Sequence, residues 1–136
     1  MVGCTLYALV LAVIALWPTH IDDQFDVVDR TPIGQWLLNQ NLTYSEAYFG
    51  IEFWANVALY VPLGLLALLI STRIRWWHVV ALAFAASTSF EVLQAGLRPA
   101  RTAALSDVVA NTLGAAIGAA IFVSVRSVHR RLTVSA

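Results

Sequence analysis

Residues 87–118 read STSFEVLQAGLRPARTAALSDVVANTLGAAIG and join the end of one very apolar stretch to the start of another. The side chains of this segment that a lipid bilayer would most strongly reject lie close together, between Glu91 and Asn111. A carboxylate buried in an apolar membrane segment is costly, and by default it marks a functional site with a partner nearby. The sequence therefore indicates that the candidate site lies here. The charged and amide side chains of residues 87–118 are Glu91, Gln94, Arg98, Arg101, Asp107 and Asn111.

The composition is typical of an integral membrane protein. Of the 136 residues, 60% are hydrophobic and 12% are charged, whereas soluble domains average roughly 45–50% and 25%. The formal net charge is zero, which gives no reason to expect a nucleic-acid partner. Cys4 is the single cysteine, so no disulfide can form within the chain.

Four apolar segments approach or reach the length of about 17–25 residues that a membrane-spanning helix needs. The first, residues 2–17, is slightly short, and a cleaved signal peptide is the alternative, although a basic start is missing. The others are residues 51–72, which contain Pro62 and are expected to kink there, residues 74–97 and residues 105–125. We therefore expect an all-α, integral membrane four-helix bundle that forms a single domain over residues 1–136.

A long acidic connection, residues 19–50, separates the first two predicted spans. Two interpretations are open. The segment is either a solvated connector with a few anchoring aromatics, or it contains one or two short helices that lie on the membrane surface. The apolar residues that would anchor such helices are Phe25, Val28, Ile33, Trp36 and Leu37.

The distribution of arginine predicts the orientation in a plasma membrane. If four spans alternate, five arginines fall on one side, and the positive-inside rule makes that side cytoplasmic. Both termini are then cytoplasmic, and the acidic connection faces outward. Arg98 and Arg101 oppose this trend, but they lie beside Glu91 and Asp107 in the sequence, so charge pairing offers a reason. The five arginines are Arg73, Arg75, Arg126, Arg130 and Arg131.

Helical spacing predicts that polar groups from three spans meet at one level, in the outer third of the bilayer. Glu52, Asn56, Tyr60 and Gly64 recur every four residues and form one stripe. The fourth span has one face that begins with Asp107 and Asn111 and continues with the small residues Gly114 and Gly118, which allow close helix packing. The predicted ligand-binding residues are Glu52, Asn56, Glu91, Gln94, Arg101, Asp107 and Asn111.

These motifs give the chain a family resemblance. In order and spacing, five stretches of the chain resemble the VanZ-like membrane protein family. They are Glu52-Phe53-Trp54-Ala55-Asn56, Pro62-Leu63-Gly64, Glu91-Val92-Leu93-Gln94, Arg101 and Asp107-Val108-Val109-Ala110-Asn111-Thr112-Leu113-Gly114. The resemblance covers about half of the chain. It implies a small bacterial multi-span protein, linked in some members to lowered sensitivity to the glycopeptide teicoplanin. It implies no known chemical mechanism.

Three hypotheses of function follow from the predicted cluster. In the first, Arg101 contacts the phosphate of an anionic lipid or of a lipid-linked wall precursor, and the other polar residues shape an outward-facing pocket. In the second, the protein is a membrane hydrolase or transferase acting on a lipid headgroup, with Glu91 or Asp107 as acid or base. In the third, the cluster only clasps the helices, and function lies in the acidic connection or in partner proteins.

Metal chemistry is not required by any of these hypotheses. Glu52, Glu91 and Asp107 supply three carboxylates, a set of ligands that suits a hard divalent cation bound in addition to the lipid. No histidine is predicted near them, which argues against zinc. We therefore assign no cofactor and no metal ligand. The sequence does not determine the oligomeric state.

Overall fold

The computed structural model describes residue 7 and residues 27–70, 73–97 and 105–134, without the side chains of Gln94, Ala95, Leu97 and Val134. These residues are helical apart from short turns, and none of them is in a strand. The helices are α1 (Val27–Arg30), α2 (Pro32–Asn39), α3 (Tyr44–Ile70), α4 (Trp76–Leu97) and α5 (Leu105–Val134).

Three of these helices are long and apolar enough to cross a membrane. The mean hydropathy of the most apolar stretch reaches 2.0 in α3 and in α5, and 1.2 in Trp76–Leu93 of α4. The prediction of an all-α membrane protein is therefore confirmed for the described residues. The first predicted span, residues 2–17, lies outside them except for Tyr7, so the fourth helix of the bundle stays a prediction.

The start of α3 differs from the predicted start of the second span, because α3 begins at Tyr44 rather than at Ile51. The backbone N–H of Thr43 donates to Oε2 of Glu46 at 2.8 Å, and the N–H of Glu46 points back to Oγ1 of Thr43 at 3.4 Å. This reciprocal pair is a capping box, which satisfies two of the backbone donors that a helix start leaves free. Just before it, Asn41 has a φ of 63°, a left-handed conformation that asparagine tolerates and that often ends a helix.

The predicted acidic connection is helical over much of its described part. Thr31 caps α2 by accepting a hydrogen bond from the N–H of Gly34 at 3.1 Å, and Pro32 follows at the first helical position. Val28 of α1 and Ala47 of α3 are fully buried, and α1, α2 and α3 contact one another. A solvated connector has no such core, so this interpretation is wrong for residues 27–50. The alternative of two short helices is correct, and their position on a membrane surface remains a prediction.

Helices α3 and α5 run parallel and approach each other backbone to backbone. A Cβ atom added at Gly118 would lie 2.0 Å from the carbonyl oxygen of Val61, and one added at Gly114 would lie 2.3 Å from that of Val57. In the other direction, a Cβ at Gly64 would lie 2.2 Å from the carbonyl oxygen of Ala115. Small residues therefore set the distance between these two helices, as their spacing on one face of α5 predicts.

Helix α5 lies between α3 and α4, which contact each other only slightly. At the end of the bundle near the turn 73–75, Leu68, Val79 and Ala119 form a buried cluster with one residue from each long helix. Ile74 and Phe122 pack against it. Helix α5 continues past the predicted end of the span at Val125 and reaches Val134, so the predicted basic tail is part of the helix.

Candidate functional site

A hydrogen bond between two membrane helices defines the first part of the site. Nδ2 of Asn56 in α3 donates to Oδ1 of Asp107, in the first turn of α5, at 3.2 Å, and the pair is partly buried. A carboxylate here also complements the partial positive charge at the N-terminus of α5. Asp107 is therefore held both by its own helix and by α3.

A second bond joins α5 to α4 one helical turn further along. Nδ2 of Asn111 donates to Oγ of Ser87 at 2.9 Å, and Ser87 is only 2% exposed. The other amide atom of Asn111, Oδ1, is buried and has no hydrogen-bond partner among the described residues, and the same holds for Oγ1 of Thr88. Leaving a buried acceptor unsatisfied costs about 1–3 kcal/mol, so this site carries hydrogen-bonding capacity that the described fold does not use.

The two bonds fix the register of the helices. α4 and α5 run antiparallel, so one turn outward from Ser87 and from Asn111 brings Glu91 to the level of Asp107. One turn outward from Asn56 in α3 is Glu52. Both glutamates are partly buried, and neither is without an interaction partner. We name the group formed by Asn56, Ser87, Asp107 and Asn111 the polar cluster; Glu52 and Glu91 flank it.

Two tyrosines that sequence reasoning left out of the site lie beside the polar cluster. Tyr60 packs its Cβ over Gly114 and is within electrostatic range of Asp107 and of Tyr7. The hydroxyl of Tyr7 donates to the carbonyl oxygen of Leu59 in α3. Tyr60 lies on the same helical stripe as Glu52 and Asn56, and this spacing is a sequence signal that would have placed Tyr60 in the predicted site. A lone tyrosine in an apolar run, such as Tyr7, carries no comparable signal.

The structure describes some of the predicted site residues and not others, and their role in binding stays a prediction. Asn56, Asp107 and Asn111 take part in the bonds described above, and Ser87 joins them although it was not among the predicted ligands. Arg101 and the side chain of Gln94 lie outside the described part of the chain, so their participation stays a prediction. Within that part, no three histidine, cysteine, aspartate or glutamate residues lie close enough together to hold a metal ion.

The fold and the polar cluster define a class: a multi-span α-helical membrane protein with hydrogen-bonded polar side chains between its helices. Comparison with protein families matches residues 4–126 to the VanZ/LLP1 family. The chain belongs to this family. No match was found among the curated proteins or among the solved structures.

Proposed function

We propose that the polar cluster, with Glu52, Glu91, Gln94 and Arg101, binds an anionic lipid or a lipid-linked cell-envelope precursor, and that this binding modulates sensitivity to teicoplanin. The observation that carries the proposal is the pair of hydrogen bonds, Asn56–Asp107 and Asn111–Ser87, which joins polar side chains of three apolar helices at adjacent levels. Polar groups in such segments are expensive, and they usually line a pathway or a site.

The proposed roles follow from charge. Carboxylates repel phosphate, so Arg101 is the group proposed to contact the phosphate, and Glu91 and Asp107 are proposed to orient the guanidinium and to accept hydrogen bonds from headgroup hydroxyls or amines. The unpartnered Oδ1 of Asn111 supports this division, because it is an acceptor that a hydroxyl or amine of a ligand would satisfy.

The orientation is part of the proposal. The arginines at the 73–75 turn and at the end of α5 lie on one side of the three described spans, and the positive-inside rule places that side in the cytoplasm. The polar cluster, near the opposite ends of the helices, then opens outward in the plasma membrane. Family membership supports the link to glycopeptides, since some VanZ-like proteins lower teicoplanin sensitivity.

Binding can be separated from a purely structural clasp by paired variants. Asp107→Asn keeps the shape and the bond to Asn56 but removes the charge, whereas Asp107→Ala removes both. Val109→Ala is the control, because Val109 lies in the same turn of α5 and is exposed. If the cluster binds a ligand, Asp107→Asn retains wild-type abundance in the membrane and loses the effect on teicoplanin sensitivity.

The same experiment has outcomes that contradict the proposal. Loss of membrane abundance in both Asp107 variants, with the effect on teicoplanin proportional to abundance, would indicate a clasp. A change in the mass of extracted lipids on overexpression that Asp107→Asn abolishes would indicate an enzyme rather than a binding protein.

A further inference from the structure

Five arginines gather at the end of the bundle that is opposite to the polar cluster. We name this group the basic end. Its two parts come together because α3 and α5 are parallel, so the turn that follows α3 lies level with the last third of α5. The contacts agree: Phe122 of α5 and Ile74 of the turn pack against the same buried cluster, and the guanidinium of Arg126 lies 6.0 Å from the centre of the Phe122 ring. The members are Arg73, Arg75, Arg126, Arg130 and Arg131.

The last part of α5 has two different faces. Val125, Val128 and Leu132 follow one another at helical spacing, and all three are exposed. Arg126 and Arg130 are one turn apart on another face, and they are exposed too. In a helix that crosses the membrane, arginines that follow directly on apolar residues suit the level at which the hydrocarbon core ends and the headgroups begin.

Helix length places this part of α5 at that boundary. About twenty residues of helix span the hydrocarbon core of roughly 30 Å. Counted from Leu105, the core ends close to Val125, and Arg126 is then at headgroup level. The start of α4 agrees with this level, because Trp76 and Trp77 are exposed there, and tryptophan concentrates at membrane interfaces.

The described part of the turn, residues 73–75, is tied to the start of α4. The N–H of Arg75 donates to Nδ1 of His78 at 3.1 Å, and the imidazole stacks on Trp77 with ring centres 3.5 Å apart. Arg75 is exposed and belongs to the same level as Trp76. Cationic side chains on an ordered turn lose less freedom on binding an anion than they would on a disordered tail.

We propose that the basic end binds the phosphate headgroups of anionic lipids in the leaflet on its own side of the membrane. Arg126 and Arg130 supply one side of the binding surface and Arg75 the other, while Val125, at the end of the hydrocarbon core, contacts the adjoining acyl chains. This apolar contact favours a lipid over a soluble phosphate. The site is independent of the polar cluster, which lies at the opposite ends of the helices.

The test uses the full chain in vesicles that contain phosphatidylcholine and phosphatidylglycerol. Brominated forms of each lipid quench tryptophan fluorescence, and the ratio of their effects gives the preference for the anionic lipid. A surface arginine contributes about a fivefold gain in binding to an anionic membrane. We therefore expect R126Q/R130Q to lower the preference by about tenfold or more, and R126K/R130K to keep it. High salt should weaken the wild-type preference, because exposed charges are screened.

Arg30 provides the matched control, since it is an exposed arginine of α1 at the other end of the described bundle. R30Q is expected to keep the lipid preference. The proposal is overturned if the wild type shows no preference, if R30Q loses as much as R126Q/R130Q, or if the lysine variant behaves like the glutamine variant. Glycerol phosphate added in solution should not compete, and full competition would point to a soluble anion. Far-UV circular dichroism checks that each variant is folded. If R126Q/R130Q is not folded, the salt dependence of the wild-type lipid preference tests the proposal instead, and a preference that high salt leaves unchanged overturns it.

Discussion

The close packing of α3 against α5 makes Gly118→Ala a sharp test of the fold. The added methyl group would lie 2.0 Å from the carbonyl oxygen of Val61 and 2.8 Å from the backbone nitrogen of Leu65. Ordinary contacts begin near 3.4 Å, so the helices must separate by about 1.4 Å, and no side-chain rotation can relieve a clash with backbone. Overpacking of this kind costs about 1–3 kcal/mol.

Gly50→Ala is the control for the same chemical change, because a Cβ at Gly50 meets nothing within 4 Å. Alanine is favoured over glycine in a helix by about 1 kcal/mol. This gain applies to both variants and offsets part of the clash at Gly118. We therefore expect Gly118→Ala to lose up to about 2 kcal/mol of unfolding free energy, and Gly50→Ala to be neutral or slightly more stable than the wild type, so that the two variants differ by about 1–3 kcal/mol.

Reversible unfolding by SDS in mixed micelles, followed by far-UV circular dichroism, measures both variants. Separation of α3 from α5 also stretches the Asn56–Asp107 bond, which is 3.2 Å long in the wild type. A Gly118→Ala protein as stable as Gly50→Ala would refute the backbone contact between the two helices, and with it the placement of Asp107 beside Asn56.

Three further predictions concern hydrogen bonds. A double-mutant cycle of Asn56→Ala and Asp107→Ala should give a coupling of about 0.6 kcal/mol, and at most about 1.7 kcal/mol, in the same unfolding assay, which are the average and the maximum for hydrogen bonds between membrane helices; zero coupling would contradict the bond. Ser87→Ala should destabilise the fold by about 1–3 kcal/mol, because it leaves the buried amide of Asn111 wholly unsatisfied, and adding Asn111→Leu should recover most of the loss; no recovery would show that Asn111 has another role in stability. Thr43→Ala should speed hydrogen exchange in the first turn of α3 by about fivefold, for a loss near 1 kcal/mol, while Thr43→Ser should not; equal exchange in all three proteins would rule out the cap.

Sequence reasoning located the three long apolar helices that the structure describes, but it set the start of one of them by the wrong signal. The apolar run suggested that the second span starts at Ile51, whereas the capping pair Thr43 and Glu46 starts the helix at Tyr44. Hydropathy reports where a helix enters lipid, and the cap reports where its hydrogen bonds begin. The Thr-x-x-Glu pattern was present in the sequence and would have corrected the boundary.

The short helices α1 and α2 show a limit of a different kind. Their sequence fits both a solvated connector and surface helices, because it is too short and too mixed in polarity to show a clear helical repeat of apolar residues. The structure decides through Val28 and Ala47, which are both fully buried, and through Gly34, where an added Cβ would lie 2.1 Å from the carbonyl oxygen of Val28. Contacts between segments this small depend on exact positions, which local pattern does not specify.

The sequence by itself determined that this chain is an all-α membrane protein, and it identified Asp107, Asn111, Gly114 and Gly118 as one face of one helix, because both follow from composition and from the 3.6-residue repeat. The tertiary structure alone decided that α5 lies between α3 and α4, and that Asp107 therefore meets Asn56 while Asn111 meets Ser87. The physical reason is that periodicity fixes the direction of a side chain on its own helix, whereas the partner it meets depends on which helices can approach closely, and here glycine on both sides of the contact allows α3 and α5 to do so.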